Sequence, residues 1–170
     1  MSEPKLIILR GPSGSGKSTI ARLLFEQAKT PTALIEQDHY RFMFKPAEEG
    51  GKFNSNTIHK MIKNDTLIAL QGGYNVILEG ILSPGAYSEL LEEIFVAHPK
   101  ENYMFYFDIS FAETVRRHAS RRQQTFGEKE MKKWYPAAHR SHHKLEQIIP
   151  EAFSIKETLQ FIKKSSGLSF

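Results

Sequence analysis

Residues 9–20, LRGPSGSGKSTI, hold Gly11, Gly16, Lys17 and Ser18 at the spacing G-x-x-x-x-G-K-[ST], between an apolar run and a helical pattern. Glycines at these positions let the backbone curl so that its N–H groups converge on an anion, and the start of the next helix adds positive potential. A lysine so placed bridges the β- and γ-phosphates of a nucleoside triphosphate. Gly11, Ser13, Gly14, Ser15, Gly16, Lys17, Ser18 and Thr19 are therefore expected to cradle ATP, with Ser18 ligating Mg2+ and Thr19 better suited to capping or packing. The metal also needs an acid, which in such sites stands at the end of an apolar strand beside the loop. Glu79 in VILEG (76–80) has that place, and Asp108, at the end of MFYFD (104–108), is its rival. A helix-start signal directly after Asp108 gives that residue to the turn, so the metal role goes to Glu79.

Strands and helices must position these groups. KLIILR (5–10), TALIEQD (32–38), YNVILEG (74–80) and NYMFYFDI (102–109) read as buried strands, with EAFSI (151–155) as a short last one. Between them, helical spacing runs over 18–29, 56–73 and 86–97, and Ser110 with Glu113 forms the capping-box spacing of a helix over 111–122. KKWYPAAHRSHHKLEQII (132–149) is expected to be helical on both sides of Pro136, and KETLQFIKK (156–164) to close the chain as a helix. Alternating strands and helices imply one α/β unit with a parallel sheet covered on both faces, spanning residues 1–170.

Composition sets outer limits. The 170 residues include no cysteine, which excludes a disulfide framework, a thiolate metal site and a cysteine nucleophile. No run approaches the roughly 18 apolar residues of a membrane helix, and the chain is expected to be soluble and cytoplasmic. The net charge of +4 is unevenly spread: residues 1–110 hold 11 Lys/Arg against 13 Asp/Glu, and residues 111–170 hold 12 against 6. A polyanionic partner or a solvated helix face explains that asymmetry equally well.

Several kinds of protein carry such a loop. A guanine-selective switch would need N-K-x-D and D-x-x-G stretches, which are missing, and a motor ATPase needs sensor elements for which the chain has little room. GPSGSGKST (11–19), DHYR (38–41), the VILEG strand and RRHASRR (116–122) together resemble the small P-loop kinases that include polynucleotide 5'-kinases, zeta-toxin-type kinases and chloramphenicol phosphotransferase, and more distantly shikimate and gluconate kinases. The resemblance runs from about residue 5 to about residue 160. It implies a three-layer fold with a five-stranded parallel sheet of order 2-3-1-4-5 and an arginine-bearing lid, placed here at about 116–135.

It also implies a role for Asp38, which has an independent basis. An alcohol attacking a γ-phosphate is best oriented by a carboxylate that takes its proton, and the end of the second strand lies across the cleft from the loop. Asp38 can also cap the segment 39–45. Arg41, three residues on, is expected to hold an acceptor phosphate or clamp Asp38, and Tyr40 to lie on the acceptor side. Transfer spreads negative charge over the equatorial oxygens, so lid guanidinium groups must close in. Arg117 and Arg121, four apart on one helical face, are the expected pair, Arg121 also touching nucleotide; Arg122 follows and Arg116 faces solvent. His139 and His143 are four apart on the expected helix, but no acid completes a zinc site with them. Trp134 and Tyr135 are expected to pack the lid onto the body, with an acceptor wall as the alternative.

The sequence therefore reads as an ATP- and Mg2+-dependent kinase of a small hydroxylated acceptor, monomeric or dimeric. A polynucleotide 5'-hydroxyl kinase is the first alternative. Stacking aromatics are sparse in the basic stretch 116–133, where Phe126 stands alone, which favours the small acceptor. A nucleotide-binding regulatory module with weak ATPase activity is the alternative of another class.

Overall fold

The computed structural model describes residues 3–45, 55–120 and 126–169. Its strands are β1 (Leu6–Arg10), β2 (Thr32–Glu36), β3 (Asn75–Gly80), β4 (Asn102–Asp108) and β5 (Glu146–Pro150). The helices are α1 (Lys17–Gln27), α2 (Gln37–Phe42), α3 (Ser55–Gln71), α4 (Pro84–Ala97), α5 (Phe111–Ala119), α6 (Glu128–Trp134) and α7 (Ile155–Ser166), with a 3-10 turn over Tyr135–Ala137. All neighbouring strands pair in parallel in the order β2-β3-β1-β4-β5, the order that the resemblance implies.

Strand β1 is buried along its whole length, and its alternation divides two cores. Leu6 and Ile8 pack with Ile58 and Ile62 of α3 and with Leu90, Leu91 and Ile94 of α4. On the other face Ile7 and Leu9 pack with Ile20 and Leu24 of α1 and Ile162 of α7. Helices on both faces account for apolar strands with no polar side, and the carboxyl ends of β1, β2 and β3 are left open as the place for a site.

Three boundaries differ from the sequence reading. The last strand lies over 146–150, where EQIIP pairs with β4 from Met104↔Glu146 to Asp108↔Pro150. Residues 151–155, expected as that strand, instead turn into α7, whose N-cap Ser154 forms a capping box with Glu157. The expected helix after Pro136 does not form. The Arg10 guanidinium donates to the His139 carbonyl, and the Glu146 carboxylate accepts from the Ser141 and His142 N–H groups, so this backbone finds partners outside a helix. His139, His142 and His143 therefore stand in an irregular segment, with His142 at φ 57°. Strand β2 ends at Glu36, which puts Asp38 in the first turn of α2; the N-cap of that helix is Glu36, so Asp38 does not cap it.

Candidate active site

Helix α1 begins at Lys17 behind Gly16, whose φ of 99° is left-handed and whose missing side chain offers the helix start no hydrogen bond. The first-turn N–H groups are thereby left for a ligand. A side chain at Gly14 would bring its Cβ within 2.6 Å of the Thr114 carbonyl, so the loop can lie against α5 only with glycine there. Lys17 is 6% exposed, and its ammonium donates to the Pro12 carbonyl at 2.8 Å and to Ser15 Oγ at 3.4 Å, folded along the loop it is expected to serve.

Lys17, Ser18, Asp38 and Glu79 line one cavity of about 70 Å³, together with Phe126. Ser18 Oγ donates to Glu79 Oε1 at 3.2 Å. Glu79 is 4% exposed, and burial pushes its carboxyl up from the ordinary carboxylate range; Asp38 and Glu36 push the same way, while Lys17 and the Ser18 hydrogen bond oppose them. A hydroxyl and a desolvated carboxylate side by side, with two further acids in the field, are the hard oxygen donors that suit a divalent cation. Asp108 is exposed at the end of β4, and the following helix is capped by Ser110, whose Oγ accepts from the Glu113 N–H.

Across the cavity, Asp38 makes an ion pair with Arg41 at 3.6 Å, and both side chains stay largely open to solvent. Tyr40 does not share that opening. Its ring is buried in the core under α3, and its hydroxyl donates to Asp65 at 2.8 Å, which corrects its expected place beside an acceptor. Helical periodicity explains the outcome: in the short helix α2, Asp38 and Arg41 fall on one face and Tyr40 on another.

A second pocket of about 410 Å³ continues from Gly14–Gly16 between α5 and the start of α7. Its apolar floor comes from Ile20, Phe107 and Ile149, and its polar rim from Arg116, Arg117 and Thr158. Arg117 donates to the Ser15 carbonyl at 3.0 Å, to Glu113 at 2.6 Å and to the Glu151 carbonyl at 3.3 Å, so its guanidinium is fixed against the phosphate loop. Arg116 also pairs with Glu113, but its side chain is 75% exposed. The two guanidinium groups hold the Glu113 carboxyl down at about 2. Arg121 and Arg122 lie outside the described residues.

Trp134 meets Phe126 edge to face at 5.1 Å, and the Tyr135 hydroxyl donates to the Ile109 carbonyl at 2.9 Å, so both pack rather than face an opening. His143 stacks on Phe95 and pairs with Glu92 at 3.2 Å. Among the described residues no group of three or more His, Asp or Glu side chains could hold a metal.

Sequence reasoning missed three contributors. The sequence presents Glu113 as a capping partner, although its spacing to Arg116 and Arg117 is that of helical ion pairs. The turn Glu151–Ser154, which carries part of the pocket rim, was hidden by the misplaced fifth strand. Arg10, fully buried at the end of β1, bonds Glu146, the Leu82 carbonyl and the His139 carbonyl; no local pattern announces those partners.

Fold and loop together define a P-loop kinase with a nucleotide-binding site. The family model described as AAA domain, AAA_33, matches residues 6–147, and the chain belongs to that family. No curated protein sequence matches the chain. Among solved structures, a sugar kinase from Janibacter sp. HTCC2649, unliganded, superposes with a TM-score of 0.74 at 12% identity over 95% of this chain and 93% of its own. The APS kinase CysC of Mycobacterium tuberculosis, in complex with AMPPNP and APS, gives 0.66 at 15% identity over 96% and 98%. A chain of the Pnkp1/Rnl/Hen1 complex gives 0.55 at 27% identity over 74% of this chain and 43% of its own.

Proposed function

We propose that this chain transfers the γ-phosphate of ATP to a hydroxyl group of a small molecule, with Mg2+ held by Ser18 and Glu79. The observation that carries this reading is the meeting of Lys17, Ser18, Glu79 and Asp38 on one small cavity. When bound, Mg2+ supplies positive charge to the β- and γ-phosphates. The loop amides and Lys17 bind the same oxygens, and Arg117 stands at the loop where charge develops in transfer. The Asp38 carboxylate accepts the alcohol proton as the alcohol oxygen bonds to the γ-phosphorus and the bond to the β,γ-bridging oxygen breaks, releasing ADP. Arg41 pairs with Asp38 at 3.6 Å from the same face of α2. The 410 Å³ pocket takes the adenosine, its base lying over the apolar floor beside Arg116 and Arg117.

A second reading, a 5'-hydroxyl kinase of RNA or DNA, draws support from the 27% identity to the chain of the Pnkp1/Rnl/Hen1 complex and from Phe42, 80% exposed beside Arg41. The test is incubation with γ-labelled ATP, Mg2+, a 5'-hydroxyl oligoribonucleotide and a pooled metabolite extract, with Asp38→Ala as control. Label on a small molecule, lost in the variant, is the expected result. Label on the oligonucleotide selects the second reading, and label found only as inorganic phosphate or left on ATP selects a regulatory nucleotide-binding module.

A further inference from the structure

The reaction cavity is lined almost wholly by polar groups and glycines; among the described residues, its apolar side chains are Ile81 and Phe126. Ile81 belongs to the body, on the turn directly after β3. Phe126 belongs to the segment between α5 and α6, far from the loop in sequence, yet it shares the cavity with Lys17, Ser18, Asp38 and Glu79. Three contacts with two residues, His118 and Trp134, fix its position. The ring stacks on His118 at 4.5 Å with an interplanar angle of 18°, and meets Trp134 edge to face at 5.1 Å. The Phe126 carbonyl accepts a hydrogen bond from His118 Nε2 at 2.9 Å. His118 is itself 5% exposed, so the support is a buried ring rather than a surface side chain.

The size of the cavity gives this wall a consequence. A cavity of about 70 Å³ beside Lys17 and Asp38 is roomy enough to admit water as well as an acceptor hydroxyl. The same carboxylate that would deprotonate an alcohol would deprotonate a water in its place. On one side the cavity opens at Asp38, whose side chain is 64% exposed, and water entering there sets a basal rate of phosphate release until an acceptor occupies that mouth. On the other side, among the described residues, the Phe126 ring stands in the wall, and its loss opens a second way in for water.

Building on the kinase reading above, the geometry points to Phe126 as the residue that decides between alcohol and water, a wall held by His118 and Trp134 that keeps water from the γ-phosphate. In the reaction it blocks, water oxygen bonds to the γ-phosphorus, the β,γ-bridging oxygen leaves as ADP, and the water proton passes to Asp38, giving inorganic phosphate. Phe126 acts by exclusion and takes no proton.

The test needs no acceptor. Phosphate release from ATP with Mg2+ alone is measured for the whole chain, for Phe126→Ala and for Phe126→Leu, together with the KM for ATP and the melting temperature. Phe126→Ala is expected to raise acceptor-independent phosphate release by about tenfold while the KM for ATP stays within about twofold, because Phe126 does not line the pocket proposed for the adenosine. Phe126→Leu, which keeps an apolar but smaller wall, is expected to raise phosphate release less than Phe126→Ala does. Phosphate release by Phe126→Ala equal to or below that of the unsubstituted chain overturns the assignment, as does an equal rise in Phe126→Leu. If Phe126→Ala does not fold, Phe126→Leu is joined by Phe126→Val, and the assignment then requires release to rise as the side chain shrinks. The kinase reading fails on a different result, the absence of label on any acceptor with the unsubstituted chain, so the two can fail separately.

Discussion

Around Gly11–Ser18 the anion site is made by backbone: a glycine-capped helix start, a turn that only glycines permit beside Thr114, and a lysine lying along the loop. Across from it, the contributions are side chains held by contacts with particular partners. Arg117 is held by Glu113, Phe126 by His118 and Trp134, and the segment after Pro136 by Arg10 and Glu146. A backbone site depends on residue type at fixed spacing and survives most changes around it. A side-chain site depends on particular partners, so single substitutions should loosen one part without erasing the rest.

The sharpest contrast is therefore between Lys17 and Glu146. Lys17→Ala is expected to lower the rate of ADP formation by about 10³-fold, with the melting temperature little changed, because one charged donor at the transferring phosphate is lost and the loop is retained. Steady-state rates and a melting curve check both halves of that statement. Glu146→Ala is expected to do the reverse. Arg10 and Glu146 form an ion pair at 2.5 Å with side chains 0% and 1% exposed, and removing one partner of a buried pair costs about 3–5 kcal/mol. Denaturant unfolding should show that loss, and a change below about 1 kcal/mol would mean that the pair does not organise the segment 139–146.

Glu79 tests the border between the regions, since it is one buried side chain serving the backbone site. Glu79→Gln is expected to reduce activity by about 10–100-fold at fixed Mg2+, with part of the loss recovered by raising Mg2+. Its effect on stability has the opposite sign. The folded state raises this carboxyl's pKa, so without ligand the protein's stability falls as pH rises from the unfolded value through the folded one. At pH 7–8 Glu79→Gln should therefore raise the ligand-free melting temperature. A melting temperature that falls would place the acid in a favourable structural contact instead.

Glu113 should give the smallest effect. Its folded pKa is depressed to about 2, so whatever stability it contributes is present above the unfolded value of 4.5 and lost as pH falls towards 2. Because its pair with Arg116, 75% exposed, lies at the screened surface, Glu113→Gln should leave the melting temperature at pH 7 little changed and weaken ATP binding by a few-fold through Arg117. Titration with ATP, followed at pH 7, separates the two.

The same contrast governs what could be read from residue order. The phosphate loop, its strand and helix, Ser18 with Glu79, and the sheet order all follow from local spacing or from the resemblance it supports. Asp38 was legible as the acid after the second strand, although it stands in a short helix, where the 3.6-residue period turns Tyr40 away from it. The fifth strand was not legible. Glu146 reads as a polar helix position until its partner Arg10, 136 residues earlier, is brought beside it. Phe126 likewise reads as a lone aromatic in a basic stretch, and only the fold sets it against Asp38 and Glu79.

The central claim, that Asp38 takes a proton from an acceptor alcohol, is tested most directly by acceptor-dependent ADP formation in the unsubstituted chain and in Asp38→Asn, with a pooled metabolite extract present and absent. The account predicts a rate that rises with the extract in the unsubstituted chain and falls by about 10²-fold or more in Asp38→Asn, with ATP affinity unchanged. An Asp38→Asn variant that forms ADP at the unsubstituted rate in response to the extract would contradict it.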